Sequence, residues 1–268
     1  MHSFFFAPRY SATPFAVKWR QVIGEFFGTL LFLFFVSASV EVPKSVSPGS
    51  AGTSAVITAF LQGFSILALV YVFRTISGGH FNPAVTIATM ITRHISLVVG
   101  LFFIVAQLLG AIVGTAIFSA AFPFDTSLGA TTIAPGVSIG QAFLIEFMIT
   151  SMLILVVFGT AVDGIHGVEQ FAPIPIGLAV LVGVLLAKNL TGASMNPARS
   201  FGPAVVSGVW DNHWLYWVAP ITAAIFTSML YKILILSDPT HTLQNPSIPL
   251  SNGSAINNTA TQSSQNPV

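Results

Sequence analysis

The sequence predicts an all-α integral membrane protein: six transmembrane helices plus two half-helices in an inverted repeat. Composition points to the membrane. Charged residues are 6% and hydrophobic residues 54% of the 268 positions, with a mean hydropathy of +0.84. An ordinary globular domain holds about 25% charged residues, and 9 basic with 8 acidic side chains cannot clothe a soluble surface of this size. Six apolar runs near the length of a bilayer core supply the spans. Three sequence blocks recurring in the same order supply the repeat. The net charge of +1 excludes a nucleic-acid partner, and the apolar content excludes a wholly disordered chain. With no cysteine, disulfides, thiolate metal sites and cysteine nucleophiles are excluded.

Residues 1–17 read as a cytoplasmic N-terminal arm. The first span, about 20–40, begins after Lys18 and Arg20 with the run GEFFGTLLFLFFVSASV. It is too long and too late for a cleaved signal peptide. Further spans are expected at about 54–74, 95–118, 138–162, 173–190 and 213–236. Two other apolar stretches, 82–92 and 196–207, both open with Asn-Pro-Ala. At 1.5 Å per residue each covers roughly 16–18 Å, about half the hydrocarbon core. Such a half-helix must be buried in protein or line a water-filled cavity. The tail, 237–268, is rich in Ser, Asn, Thr, Gln and Pro, with no charge after Asp238, and reads as disordered. Asn252 and Asn257 match the glycosylation pattern, but on a cytoplasmic tail they are expected to stay unused.

Loop charge sets the orientation. An even number of spans puts both termini on one side, together with Arg9, Lys18, Arg20, Arg74, Arg93 and Lys232; Lys44 and Lys188 fall on the other. The positive-inside rule then makes both termini cytoplasmic. Trp19, Trp210, Trp214 and Trp217 sit near span ends, where an interfacial belt belongs.

The channel domain, 18–236, divides into repeats of about 18–118 and 138–236. Gly24-Glu-Phe-Phe-Gly-Thr29 answers to Ile145-Glu-Phe-Met-Ile-Thr150, with Glu25 and Glu146 121 positions apart. Ile76-Ser-Gly-Gly-His-Phe-Asn-Pro-Ala-Val answers to Leu190-Thr-Gly-Ala-Ser-Met-Asn-Pro-Ala-Arg, with Asn82 and Asn196 114 apart. Val105-Ala-Gln-Leu-Leu-Gly-Ala-Ile answers to Val218-Ala-Pro-Ile-Thr-Ala-Ala-Ile. Each half has three spans, an odd number, so the second half enters the membrane from the opposite side. The half-helices then dip in from opposite faces and meet near the midplane.

Asn is a favoured N-cap, and Pro fits the first helical position because the N–H it lacks would be unpaired there anyway. Asn82, Pro83 and Ala84, and Asn196, Pro197 and Ala198, would therefore start capped helices with the Asn amide NH2 left outward as a donor. Each N-terminus adds about half a positive charge. Two donors in a positive field suit a neutral, hydrogen-bond-accepting solute and disfavour cations. Arg199 follows directly; a charge at membrane depth marks a functional site by default. Glu25 and Glu146 could be proton-relay carboxylates, but their symmetric placement favours a structural role, holding the backbone that leads into each half-helix. His80 is placed in the cytoplasmic part of the pore. Gly24-x-x-x-Gly28 and Gly110-x-x-x-Gly114 read as close helix contacts. Ser96 reads as an N-cap, though Arg93-His-Ile-Ser96 also has the form of a basophilic kinase site. His166 reads as a loop histidine, with pH sensing as the alternative.

Ser77-Gly-Gly-His-Phe-Asn-Pro-Ala-Val-Thr86 and Thr191-Gly-Ala-Ser-Met-Asn-Pro-Ala-Arg-Ser-Phe-Gly-Pro203 resemble the aquaporin, or major intrinsic protein, family, over about residues 18–236. The resemblance implies an aquaporin-like fold, a homotetramer with one pore per subunit and passive conduction. Ser200, Ala204 and Tyr216-Trp217 look like the water-channel pattern rather than the glycerol-facilitator one. By motif, Gln62, Val184, Ala193 and Arg199 line the selectivity filter. Water-selective members resemble one another in having Phe and His where this chain has Gln62 and Val184. The expectation is a channel for water, with ammonia, hydrogen peroxide and urea as further candidate solutes, that excludes protons and ions. No enzymatic activity, cofactor or metal is expected; the partners are water, small neutral solutes, the lipid bilayer and other copies of the chain. The alternatives are a secondary transporter or a non-conducting membrane-junction protein.

Overall fold

The computed structural model describes residues 15–46, 49–123, 127–162 and 169–234. The two arms, His166, Asn252 and Asn257 lie outside or largely outside these segments. The described residues form helices joined by turns and loops, with no strand among them. The order is α1 (Phe15–Val46), α2 (Ala51–Phe73), α3 (Pro83–Ile91), α4 (Leu97–Ala121), α5 (Ile139–Val157), α6 (Pro173–Ala187), α7 (Pro197–Ser207) and α8 (Leu215–Leu234). By length and composition, Trp19–Ser45, Ala51–Phe73, Leu97–Ala121, Ile139–Val162 and Leu215–Leu234 can each cross a membrane. The sixth expected span is the 15-residue α6, bounded by Pro173 and a turn over 188–191.

Helix ends follow local chemistry. Ser50, Ser96 and Ser138 cap α2, α4 and α5, each accepting from the N–H three residues on, and Gln141 completes a capping box with Ser138. Ser96 thus takes its plain structural part. Gly208, at φ 78°, closes α7 in the left-handed conformation that glycine adopts without penalty. The last turn of α5 widens into a π-helical segment, Phe158–Val162.

α1 is longer than expected, 32 residues with Pro43 inside it. The polar stretch after 40 stays helical because it carries on the buried face. Gly28 and Thr29, Phe32 and Leu33, Val36 and Ser37, then Val40 and Glu41 recur as buried pairs at helical spacing. Ile23, Phe27, Leu31 and Phe35 line the opposite, exposed face.

Glycines set the closest approaches. A Cβ on Gly110 or Gly114 would strike the α1 carbonyls of Phe26 or Leu30, so α4 lies directly against α1. The expected Gly24–Gly28 helix contact is different: Gly28 makes room for the Phe81 ring, and Gly24 for Ile76 and Ser77. That pair seats the loop entering α3, not another helix. Gly63 on α2 and Gly177 on α6, 114 positions apart like the two asparagines, face each other's carbonyls. Residues that touch their own repeat counterparts lie on the axis relating the halves. The cross-packing agrees, since α3 lies against α8 and α7 against α4.

Candidate functional site: a pore between two half-helices

The loops entering α3 and α7 share one backbone pattern. Gly78, Gly79 and Phe81 have φ of 99°, 66° and 48°; Gly192, Ala193 and Met195 have 85°, 53° and 53°. Left-handed backbone at a non-glycine residue costs roughly 1–3 kcal/mol and persists only where the surroundings enforce it. Here a buried carboxylate does so in each half. Glu25 accepts from Ser77 Oγ (2.5 Å), the His80 N–H (3.0 Å), the Phe81 N–H (2.8 Å) and Gln107 Nε2 (2.8 Å). Glu146 accepts from Thr191 Oγ1 (2.6 Å), the Ser194 N–H (2.9 and 3.1 Å to its two oxygens) and the Met195 N–H (3.0 Å). Both are fully buried, and these donors saturate them.

Asn82 Oδ1 caps α3 by accepting from the Ala84 N–H at 2.9 Å. Asn196 Oδ1 caps α7, accepting from Ala198 (2.9 Å) and Arg199 (3.3 Å). Their amide nitrogens are not the wholly free donors that the sequence predicts. Asn82 Nδ2 donates to Met195 O at 2.9 Å and Asn196 Nδ2 to Phe81 O at 2.8 Å. These reciprocal bonds tie the two N-termini together head to head. An NH2 carries two hydrogens, so each asparagine keeps one donor beyond the cross-link.

A cavity of about 510 Å³ opens on the face where α1 begins and runs inward to these ends. His80, Asn82, Asn196, Gln62 and Arg199 share its lining. His80 Nδ1 lies 3.1 Å from Thr86 Oγ1, and its ring meets Phe103 edge-on. Gln62 donates from Nε2 to Ser39 Oγ at 3.1 Å, which lays its amide along the wall. Val184 and Ala193 are fully buried and are not among the lining residues. Arg199, 1% exposed, donates from Nη1 to Gly129 O (2.6 Å) and from Nη2 to Gly192 O (3.3 Å), while Nε has no protein partner. A guanidinium held by carbonyls keeps its full positive charge next to the asparagines.

Five helices long enough to cross a membrane, the shorter α6, and two half-helices joined tip to tip by asparagines are an arrangement shared with known proteins. The pattern of the family described as "Major intrinsic protein" matches residues 12–231. The chain belongs to this family. Among relatives in the family, Aquaporin A of Dictyostelium discoideum is 38% identical over 220 residues, 81% of this chain and 78% of its own. Aquaporin-4 of Mus musculus is 40% identical over 223 residues, 82% of this chain and 68% of its own. The X-ray structure of the aquaglyceroporin from Plasmodium falciparum matches with a TM-score of 0.73 at 24% identity, covering 84% of this chain and 99% of that one, and shares the fold.

Two residues of this site, Gln107 and Glu41, escaped the sequence reading, and Tyr216 entered it only as part of the water-channel pattern. Gln107 bridges Glu25 and Thr86 Oγ1 (2.9 Å), and Tyr216 donates its hydroxyl to Thr191 O at 2.8 Å. Glu41, placed outside the first span by the sequence reading, is 2% exposed. Continuing the buried pairs of α1 by one more turn would have found it.

Proposed function

We propose that this family member is a passive channel for water and small neutral solutes such as ammonia, hydrogen peroxide and urea, which excludes protons and other ions. The observation that carries this reading is the head-to-head junction of Asn82 and Asn196 at the inner end of the cavity, beside Arg199. Each asparagine offers a donor and each half-helix an N-terminal positive field. Arg199 adds a full charge, in keeping with how aquaporin pores are generally understood to combine width, lining hydrogen bonds and an arginine. A water molecule can accept there; a cation meets only like charge. The filter is assigned by motif to Gln62, Val184, Ala193 and Arg199, of which Gln62 and Arg199 line the cavity, and His80 to the cytoplasmic part of the pore. Both termini lie in the cytoplasm, and the chain assembles as a homotetramer in the bilayer, without enzymatic activity.

The transporter alternative needs a carboxylate free to exchange protons. Glu25 and Glu146 are each committed to three or more donors, which supports their scaffold role. Stopped-flow light scattering of proteoliposomes after an osmotic step is the test. Fast water flux with a low activation energy is expected. Saturable flux that needs an ion gradient would instead indicate a transporter, and flux equal to protein-free vesicles a non-conducting role.

A further inference from the structure

Glu41 is a buried carboxylate that the pore reading leaves without a task. Its one ion-pair partner among the described residues, Lys44, lies one turn away, 3.0 Å from Oε1, with a side chain 46% exposed. A half-exposed lysine recovers little of what a buried carboxylate loses in hydration. The other contacts of Glu41 all go to one turn of chain. Its Oε1 accepts from the Gly129 N–H at 3.1 Å and from Ser127 Oγ at 3.4 Å. On the far side of the same residue, Gly129 O accepts the shorter of the two bonds that hold the Arg199 guanidinium. Gly129 has φ 83° and packs against Ser37 and Val40 of α1. The peptide plane that carries Gly129 O also carries the Ala130 N–H, which donates to Ser127 O at 2.9 Å, so the turn that Glu41 grips at Ser127 and Gly129 holds the direction of that carbonyl.

We propose that Glu41 is a positioning residue for the selectivity filter: by binding Ser127 and Gly129 it holds the turn whose carbonyl anchors Arg199, and so sets how large a solute the pore admits. The chain of contacts runs from the last turns of α1 through one glycine to the arginine. It parallels Ser39, two residues earlier, whose hydroxyl receives the Gln62 amide. The same end of α1 therefore holds two groups on the pore wall. Without the Glu41 bonds the turn loosens from α1, the arginine head loses the fixed position of its tightest anchor and the opening widens. This inference rests on the assignment of Arg199 to the filter.

The test is the ratio of urea to water permeability in proteoliposomes of the full chain. Glu41→Asp keeps the charge but falls one methylene short of Gly129. Glu41→Gln keeps the reach and an accepting oxygen but loses the charge. The Asp variant is expected to raise the ratio about fivefold, the scale of one net hydrogen bond. The Gln variant and Lys44→Ala are expected to stay near the unaltered protein. Where the Asp variant does not insert, Glu41→Ala removes the same acceptor and is read in the same way. An unchanged ratio in the truncated variants, or a rise in Glu41→Gln equal to that in Glu41→Asp, overturns the proposal. Arg199→Val run alongside separates the two levels. If it leaves the ratio unchanged, the filter assignment itself fails; if it raises the ratio while the Glu41 variants do not, only the present inference fails.

Discussion

The loop into α3 and the loop into α7 have the same backbone and different surroundings. Each has left-handed residues at equivalent places and a saturated carboxylate behind it. The side chains then diverge. Glu25 receives Gln107, whereas the equivalent place on α8 is Pro220, which has no side-chain donor to give. His80 contacts Thr86 in the first half, and Ser194 contacts Ser200 at 2.6 Å in the second. Val85 stands where the second half has Arg199. The repeat preserves what fixes a helix end at membrane depth, because an unpaired backbone group there is expensive whichever way the helix points. It does not preserve what the two loops show to the cavity, so the first half contributes an imidazole to its wall and the second a guanidinium.

The largest expected effect tests the shared part. Glu25→Leu and Glu146→Leu each strand several donors, and each should lower stability by about 3 kcal/mol or more. Thermal unfolding in detergent should show the Glu25 variant falling further, since it also removes one of the two acceptors of Gln107. Equal losses would mean that Gln107 adds nothing to the first loop. Next is a swap between halves: Arg199→Val installs the residue of the first loop in the second. Urea permeability relative to water should rise about tenfold, equivalent to ~1.4 kcal/mol, in protein that remains folded; flux measurements in vesicles decide it. A smaller effect separates the caps. Loss of an N-cap side chain costs about 0.5–2 kcal/mol, and Asn196→Ala should lie above Asn82→Ala in that range because Asn196 caps two N–H groups and Asn82 one. The order of their melting temperatures checks this. The smallest is His80→Ser, which copies the second loop into the first. Water flux should change by less than about twofold and stability by under about 0.5 kcal/mol, since a surface-like change at a cavity wall strands no buried group. A large loss of stability would show that the His80–Thr86 contact carries structural weight.

Much of this was legible residue by residue. Asn82 and Asn196 declared themselves because N-capping is local chemistry, decided within three residues of the cap. Glu25 and Glu146 stood out because a carboxylate within an apolar run must have partners. The partners themselves were not legible. Gln107 reaches Glu25 across 82 positions and Tyr216 reaches Thr191 across 25, and no local pattern encodes either. Glu41 was obscured by its flanking polar residues, which made the end of α1 look like a loop. The Gly24–Gly28 spacing was misread for a related reason: small residues at helical spacing announce a close approach but not what approaches.

The sequence by itself determined the solvent, the order of the helices, the two capped half-helices and the repeat. Those properties follow from hydropathy, length and local hydrogen bonding, which act within one turn or along one span. Only the tertiary structure decided that one hydrogen on each asparagine is committed to the opposite loop, that Gln62 lies along the wall against Ser39, and that Arg199 hangs from a carbonyl backed by Glu41. Each of those depends on where a group distant in the chain comes to rest. In a pore, the directions of a few donors and carbonyls are set by such long-range contacts, because the helices that carry them are held apart or together by packing rather than by their own sequence.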